Sequence, residues 1–443
     1  MKTLVDQAAA VAAGHQTSAA LIEAAQIAAE AAAELNPLAW VDWRQAAQTA
    51  RVLDAELAAG HPRGPLHGMP ISIKDLFNVD GMPTRAGTRA ALPGLSSREA
   101  TLVTRLKAAG ALVFGKANMH EIALGATGEN VWTGDVKNPF DPARQAGGSS
   151  SGSGVCVQRG IGLASVGSDT GGSVRIPAAF CGVTGFKPTR DAIPLEGGLY
   201  LSWTCDHAGP LAPSVADCAL MFEVMAQRSV RHGAVPRKPR LAVPERWLQG
   251  RLQPGVREVF DTLVAGLRAE GVTVDPVEID TLQAGWEAYS PLVRAEAAWV
   301  HRQVLDAGGE GFSAMVLPPL EAGRRIAARD YIDALQTRQA LVDEFARLLG
   351  GYDALICPGN AVLPPLRGQH EVQTEGGLMS TRDAVLGQTA AFSLAGLPTL
   401  VLPTALVEGL PTSLQVVGAA DTDARVLALG RWFERRIGLI GGT

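Results

Sequence analysis

The chain has 443 residues, 47% of them hydrophobic and 19% charged, which is enough to bury a large core. A formal net charge of −5 indicates no basic surface for nucleic acid or an anionic membrane. No stretch approaches the ~18 uninterrupted apolar residues of a membrane span, and the alanine-rich N-terminus lacks the apolar core of a signal peptide. Five cysteines without a CxxC pair indicate neither disulfides nor a zinc site. We predict a cytoplasmic protein that binds neither nucleic acid nor membrane.

The order of the predicted elements is that of an α/β protein. Alanine, glutamate and leucine at helical spacing predict helices over residues 1–60. Short apolar runs typical of strands follow at residues 69–77, 111–118, 240–245, 272–279, 352–359 and 397–406. Helix-like segments separate several of these runs, and residues 284–307 and 319–349 predict two further helices. This alternation predicts one large α/β body with a more helical middle section.

Two glycine–serine loops lie close together, AGGSSSGSG at 146–154 and DTGGSVRIPAAFCG at 169–182. They do not match a phosphate-binding loop, because both GxxxxGK[ST] and GxGxxG are absent. A linker is disfavoured because apolar sequence abuts both loops. Serine catalysis remains, since consecutive N–H groups in a glycine-rich loop can stabilise an oxyanion. The predicted donors are Thr170, Gly171, Gly172 and Ser173.

A serine nucleophile also needs a base. None of the eight histidines lies in either loop, and His120 in NMHEIAL is the nearest rival. Lys74 ends the strand-like run MPISIKDLF among apolar neighbours, where desolvation would favour its neutral, basic form. The local sequence alone leaves an ordinary lysine paired with Asp75 as the alternative.

Five segments, in this order and spacing, resemble the amidase signature family: PISIKDLF, GKANMHEIALG, NPFDPARQAGGSSSGS, GSDTGGSVRIPAAFCGVTGFKPT and DHAGPLAPSVADCALM. The resemblance continues through YDALICPG and LAGLPTLVLPTALVEGLPTSLQVVG, so it covers nearly the whole chain. It implies the amidase signature fold, a large mixed β-sheet core flanked by helices, in a single domain over 1–443. Within it we expect N-terminal helices at 1–60 and a catalytic core at 61–225. A helical specificity section would follow at 226–350, and the chain would return to the sheet at 351–443.

The resemblance also implies roles for single residues. Ser173 matches the nucleophile, Ser149 the bridging serine after a cis peptide bond, and Lys74 the base. Protons would pass from Ser173 through Ser149 to Lys74 during attack, and return along the same path to the departing amine.

Other residues are implied in supporting roles. Asp169 and Arg175 would brace the nucleophile loop. Ser151 and Ser153 either add hydrogen bonds near Ser149 or cap a helix that starts at about Ser153, and we expect capping for Ser153. Met119, Leu124 and Gly125 match a segment that lines the acyl pocket in family members. We expect no cofactor and no metal.

The implied activity is hydrolysis of C–N bonds in linear amides through an acyl-enzyme. Residues 284–390 are rich in Ala, Leu and Val, which favours apolar or aryl amides, with side activity on carbamates and esters. The alternatives are a biuret- or urea-type amidohydrolase and the glutaminase component of a tRNA-dependent amidotransferase. In that component, a carboxylate anchors the ammonium group of glutamine. Counting back without gaps from the segment SLAGLP, the matching position in this chain is Leu386. The expected partner is a small-molecule amide or carbamate, and a homodimer stays open.

Overall fold

The computed structural model describes residues 1–230 and 233–437. Thirteen strands lie within these ranges. They are β1 Leu38–Val41, β2 Pro70–Lys74, β3 Leu112–Ala117, β4 Ala164–Asp169, β5 Thr184–Lys187, β6 His207–Ala212, β7 Arg240–Val243, β8 Thr273–Pro276, β9 Ala354–Pro358, β10 Glu371–Thr374, β11 Gly377–Ser380, β12 Thr399–Val407 and β13 Leu410–Val417.

Helices cover the sheet and build the middle of the chain. They are α1 Leu4–Ala12, α2 Ser18–Ala31, α3 Trp43–Ala58, α4 Thr101–Ala108, α5 Ser151–Gln158, α6 Arg175–Phe180, α7 Val215–Ala226, α8 Glu245–Leu248, α9 Pro254–Ala269, α10 Leu282–Val300, α11 Arg302–Asp306, α12 Leu317–Arg324, α13 Ala328–Leu349, α14 Thr381–Leu386, α15 Ala390–Leu394 and α16 Asp423–Ile437. Short 3-10 turns lie at Ala33–Leu35 and Glu121–Ala123. Within the two described ranges, no helix is both long and apolar enough to cross a membrane.

Eleven strands form one mixed sheet in the order β1-β3-β2-β4-β6-β5-β12-β13-β9-β7-β8. Strand β2 is parallel to both β3 and β4, whereas the central β5, β12 and β13 pair antiparallel. Strands β10 and β11 form a separate hairpin. All residues of β2, β4 and β13 are buried, because helices cover both faces of the sheet. The predicted α/β architecture with a large mixed sheet flanked by helices is confirmed.

The topology brings the two glycine–serine loops to one edge of the sheet. Lys74 is the last residue of β2, and Asp169 is the last residue of the parallel neighbour β4. The carboxyl ends of parallel neighbours meet at the same edge, where open α/β sheets commonly bind ligands. The loop after β4 leads into α6, and the other loop leads into α5, which packs on β4.

Sequence analysis did not locate every element: the helices α7 and α16 and the strands β4, β5, β6 and β13 lie outside the predicted runs. Strand β1 interrupts the 1–60 region that was predicted to be helical, and the β10–β11 hairpin was not predicted. The helix predicted to start near Ser153 begins at Ser151, so Ser153 lies inside it. Its hydroxyl donates to the Val166 carbonyl at 3.4 Å and does not cap the helix.

The central sheet should carry much of the stability. Leu400 of β12 is fully buried, and its side chain packs closely against Gly430 of α16. We expect Leu400→Ala to lower the free energy of unfolding by about 2–5 kcal/mol, because it leaves a cavity in a packed core. Leu378→Ala is the matched control, since Leu378 is 70% exposed, and should change it by less than about 0.5 kcal/mol. Urea denaturation measures both; equal losses would contradict this assignment of the core.

Candidate active site

Lys74 lies between two serine hydroxyls at the end of β2. Its Nζ donates to Ser149 Oγ at 2.7 Å and to Ser168 Oγ at 2.8 Å. The side chain is fully buried, with both partners on neighbouring segments of the core. The structure therefore brings together two of the residues implied by the resemblance, and adds Ser168.

Burial determines the charge of Lys74. Loss of hydration lowers the pKa of its ammonium to about 7, although the more distant carboxylates of Asp206 and Asp169 oppose the shift. The ordinary pairing with Asp75 that local sequence allowed is wrong. Asp75 instead pairs with Lys116, whose Nζ lies 3.1 Å from Asp75 Oδ1. Without a directly paired carboxylate, Lys74 is neutral in a substantial fraction of molecules near pH 7.

The two glycine–serine loops are joined through their backbones. The Ser150 N–H donates to the Ser173 carbonyl at 3.3 Å, and Ser150 Oγ donates to the Ser168 carbonyl at 3.1 Å. The peptide bond between Gly148 and Ser149 is cis. A Cβ at Gly148 would lie 3.0 Å from backbone atoms of residues 126–128, so the close approach of these segments requires glycine there.

The loop that carries Ser173 is tightly enclosed. Gly172 has a φ of +139°, and a Cβ there would lie 2.3 Å from Thr389 Oγ1. A Cβ at Gly171 would lie 2.1 Å from Tyr289 Oη, while Thr389 Oγ1 donates to the Gly171 carbonyl. Both glycines thus allow contacts that any side chain would block, and they hold the loop in one conformation.

Asp169 and Arg175 form a fully buried, bidentate ion pair beneath this loop. Arg175 Nε donates to Asp169 Oδ2 at 3.0 Å, and Nη2 donates to Oδ1 at 2.9 Å. The Val174 N–H also donates to Asp169 Oδ2, at 3.2 Å. Burial opposes ionisation of Asp169, but Arg175 outweighs it and holds the pKa of that carboxyl well below its usual range. The pair fixes both sides of the Ser173 loop.

A cavity of about 350 Å³ opens beside the loop. Thr170 and Ser173 border it, together with apolar residues from five other segments. The lining residues are His120, Ala123, Leu124, Gly125, Ala126, Thr127, Glu129, Gln145, Thr170, Ser173, Leu201, Tyr289, Ser290, Val293, Arg294, Met315, Pro319, Gly368, Gln369, His370, Ser380, Thr381, Arg382, Val385 and Leu386. Much of this lining is apolar, but Glu129, Arg294 and Arg382 add charges that sequence analysis did not anticipate.

The remaining predicted residues differ in their relation to the cavity. Leu124 and Gly125 line it, whereas Met119 is fully buried in the core and does not. Ser151 begins α5, and among the described residues its buried hydroxyl has no hydrogen-bond partner. The structure therefore brings neither Met119 to the cavity nor the Ser151 hydroxyl into a bond with Ser149.

His120 lines the cavity but is not positioned like a base for either serine. Its Nδ1 lies 3.3 Å from Thr127 Oγ1. Burial, followed by the charge of Lys74, lowers the pKa of His120 to about 4. The backbone N–H of His120 donates to the Ser149 carbonyl at 3.1 Å, which gives the residue a structural role beside the loop.

Three contributors were missed by sequence analysis. Ser168 is the second partner of Lys74, and Tyr289 packs on Gly171 from α10. Asp206 accepts a hydrogen bond from Thr170 Oγ1 at 2.5 Å, and burial raises its pKa to about 6. Asp206 begins the quoted DHAG segment, so a signal existed for it. The other two depend on contacts between distant segments.

Comparison with known proteins identifies the family. A family model for amidases matches residues 20–427. This chain belongs to the amidase signature family. As a member it is a serine amidohydrolase, an enzyme that hydrolyses C–N bonds.

Several relatives of this amidase match over nearly their full length. One glutamyl-tRNA(Gln) amidotransferase subunit, from Deinococcus radiodurans, is 34% identical, with 98% of this chain and 97% of the relative covered. A crystal structure of an amidase is 48% identical, with a TM-score of 0.96 and coverage of 99% of this chain and 100% of the other. A further structure is described as a vestigial protein complex that reveals the evolutionary origins of an s-triazine catabolic enzyme. It is 29% identical, with a TM-score of 0.91 and 99% of each chain covered.

The lowered pKa of Lys74 predicts a pH-dependent stability. The folded-state pKa is about 7 and the ordinary value is 10.5, so the unfolded chain binds more protons between them. Wild-type stability from this group therefore rises with pH across that window. The Lys74→Met variant lacks this titrating group and so does not gain this stability. The free energy of unfolding of the variant minus that of wild type should therefore become about 2 kcal/mol more negative between pH 7 and pH 9.

Urea denaturation at both pH values tests this expectation. Lys238→Met is the control for loss of a lysine, because Lys238 is exposed. The variant also loses the hydrogen bonds to Ser149 and Ser168. This loss lowers the free energy of unfolding equally at both pH values, so it cancels from the comparison. A pH-independent difference for Lys74→Met would show that the folded protein does not lower the pKa of Lys74.

Proposed function

We propose that this amidase cleaves linear amides through an acyl-enzyme on Ser173, with Ser149 and Lys74 as its proton relay. The observation that carries the proposal is the 2.7 Å hydrogen bond between Lys74 Nζ and Ser149 Oγ in a dry core. A neutral lysine accepts a proton, whereas an ammonium cannot. The burial that lowers the pKa of Lys74 to about 7 thus supports a base at neutral pH.

The proton path conserves charge at each step. Ser173 Oγ attacks the amide carbonyl, its proton moves to Ser149 Oγ, and the Ser149 proton moves to Lys74 Nζ. The tetrahedral oxyanion then collapses with cleavage of the C–N bond, and the proton returns through Ser149 to the departing nitrogen. Water then attacks the acyl-enzyme, and its proton passes through Ser149 to Lys74. That proton returns through Ser149 to Ser173 Oγ as the acid is released.

Backbone N–H groups of the loop from Thr170 to Ser173 are the proposed oxyanion donors. Their conformation is fixed before substrate binds, because Tyr289 and Thr389 enclose the two glycines and the Asp169–Arg175 pair anchors the loop's end. Donors that need no reorganisation stabilise developing charge most effectively. Ser151 has no evident part in this step.

The cavity supports an apolar or aryl acyl group next to Ser173. Leu124, Val293, Val385 and Leu386 contribute apolar walls. Anilides, aryl carbamates and esters all present a carbonyl with an apolar neighbour, so each is a proposed substrate. Aryl carbamates should behave like anilides, since attack at the carbonyl faces a similar amine leaving group.

Glutaminase activity is the second candidate, favoured by the similarity to the Deinococcus radiodurans protein. The cavity argues against it. Leu386 lines the wall where the anchoring carboxylate was expected, and an ammonium facing leucine would lack a partner. Glu129 also lines the cavity, but its Oε1 accepts the Gly368 N–H at 2.6 Å. A biuret- or urea-type activity stays an alternative that the same substrate panel covers.

The nucleophile assignment predicts the effect of one hydroxyl. We expect Ser173→Ala to lower kcat/KM on p-nitroanilides at least about 10³-fold while the protein stays folded. A fluorophosphonate should add once to the wild type, at Ser173, and not to the variant. Intact-protein mass measures the adduct, and the exposed Ser97→Ala is the control that should label like wild type. Turnover of Ser173→Ala within tenfold of wild type would end the assignment.

The relay predicts a dependence on the leaving group. An amine departs poorly without a proton, whereas p-nitrophenolate leaves as an anion. We expect Ser149→Ala to lower kcat/KM for p-nitroanilides and aryl carbamates about 10²-fold or more, and to affect the matched p-nitrophenyl ester less.

Ser153→Ala provides the matched control, because it removes a buried hydroxyl from the same segment that bonds only to the Val166 carbonyl. Its effect on esters and amides should be equal. Equal losses on both substrates in Ser149→Ala would exclude the shuttle role, and turnover of glutamine without any aryl substrate would support the glutaminase alternative.

A further inference from the structure

One wall of the cavity carries an uncompensated positive charge. Arg294 of α10 lines the cavity and is half-buried. Within residues 1–230 and 233–437, no side chain or carbonyl accepts a hydrogen bond from its guanidinium, and no carboxylate pairs with it. A partly desolvated guanidinium normally has an anionic or carbonyl partner, so this one is free to bind a ligand.

A second guanidinium lies near the first. Arg382 also lines the cavity, although its side chain is exposed. It stacks over Trp286 at 5.0 Å from the ring centroid and lies 3.6 Å from the half-buried Asp383. Burial, and then the charge of Arg382, lower the pKa of Arg294, as expected for like charges on one wall. We call Arg294 and Arg382 the arginine pair.

The cavity does not supply the missing anion. Glu129 is the one carboxylate among the described lining residues, and its Oε1 is bonded to the Gly368 N–H. Asp383 is half-buried and lies 3.6 Å from Arg382, which is longer than a hydrogen bond. Two guanidiniums with so little compensation favour a ligand that brings its own negative charge.

The position of the pair along α10 sets its distance from the reacting carbonyl. Tyr289 packs on Gly171 of the nucleophile loop, and Arg294 follows five residues later on the same helix. At 1.5 Å per residue, this places Arg294 about 7 Å farther along the helix axis. Val293, which precedes Arg294 in the chain, also lines the cavity. A ligand that reaches from Ser173 to Arg294 would therefore need an apolar spacer.

We propose that the arginine pair is a carboxylate-binding subsite, and that the preferred substrate is an amide with a carboxylate at the far end of an apolar chain or ring. This substrate class rests on the proposed hydrolysis at Ser173. Guanidiniums match carboxylates in shape, through two parallel N–H donors. The carboxylate belongs either to the acyl part or to the amine part of the amide, and two substrate series distinguish these sources.

The acyl series consists of mono-p-nitroanilides of succinic, glutaric, adipic and pimelic acid, each paired with its methyl ester as the neutral isostere. The amine series consists of N-benzoyl ω-amino acids of increasing length, again with methyl esters. The preference should appear in only one of the two series, the one whose carboxylate reaches the arginine pair. In that series, we expect kcat/KM for the longer acids to exceed that of the matching methyl esters about 10- to 100-fold, the contribution of a charge-assisted hydrogen bond.

Variants of the pair should remove this preference. Arg294→Gln and Arg382→Gln should each reduce the acid-to-ester ratio of kcat/KM, mainly through KM for the acid, and the double variant should bring it close to one. Arg325→Gln is the matched control, because Arg325 is exposed and lies outside the cavity lining. It should leave the ratio as in wild type.

The outcomes separate this inference from the proposed function. Hydrolysis of the neutral isosteres without any acid preference in either series overturns the subsite and leaves the hydrolase assignment standing. An acid preference that survives in the double variant also overturns it.

A binding measurement covers the case in which none of these substrates is hydrolysed, which would refute the proposed function for them. Calorimetry with the Ser173→Ala protein and adipic acid monoanilide requires no turnover. We expect Arg294→Gln in this background to weaken binding about 10-fold or more. Equal affinity with and without Arg294 overturns the subsite.

Discussion

The buried ion pair between Asp169 and Arg175 is the interaction on which the catalytic edge of the sheet depends. Beyond the carboxylate, Arg175 donates to the Thr389 carbonyl at 3.0 Å, Ser393 Oγ at 2.6 Å and Gln415 Oε1 at 2.9 Å. One side chain thus joins β4 and the nucleophile loop to segments more than 200 residues later. Breaking such a pair leaves an uncompensated buried charge, which is strongly destabilising. Arg175 therefore ties the Ser173 loop to the start of α15 and to β13.

Arg175 and Lys74 are both buried basic side chains in this region, but they have different partners. Arg175 faces the Asp169 carboxylate in bidentate geometry and lowers the pKa of that carboxyl. Lys74 is equally buried but contacts the hydroxyls of Ser149 and Ser168, which cannot compensate a full charge. Its pKa falls for that reason. The same dry core thus holds a structural ion pair and, at the neighbouring strand end, lowers the pKa of an amine.

The sequence showed the parts of the site that lie in local motifs and not those that depend on packing. Lys74, Ser149 and Ser173 stand in recognisable segments, and two of them are in direct contact in the structure. Ser168 reaches Lys74 only because β2 and β4 pair in parallel across 94 residues, which no local pattern encodes. Helical periodicity predicted the helix that carries Arg294. Which of its faces meets the cavity depends on how that helix docks on the core.

The chemistry and the recognition therefore come from different parts of the chain. The attacking and relaying groups stand at strand ends and in loops of the core, where hydrogen bonds and buried charges determine their positions. The cavity wall opposite them comes from α10 and α14, which carry Arg294 and Arg382. Tyr289 is the link, because it packs on Gly171 and belongs to the same helix as Arg294. Because α10 packs mainly on α12, α13 and α15, a substitution at Arg294 would change what the cavity binds without disturbing the sheet. One catalytic core can in this way serve amides of different charge.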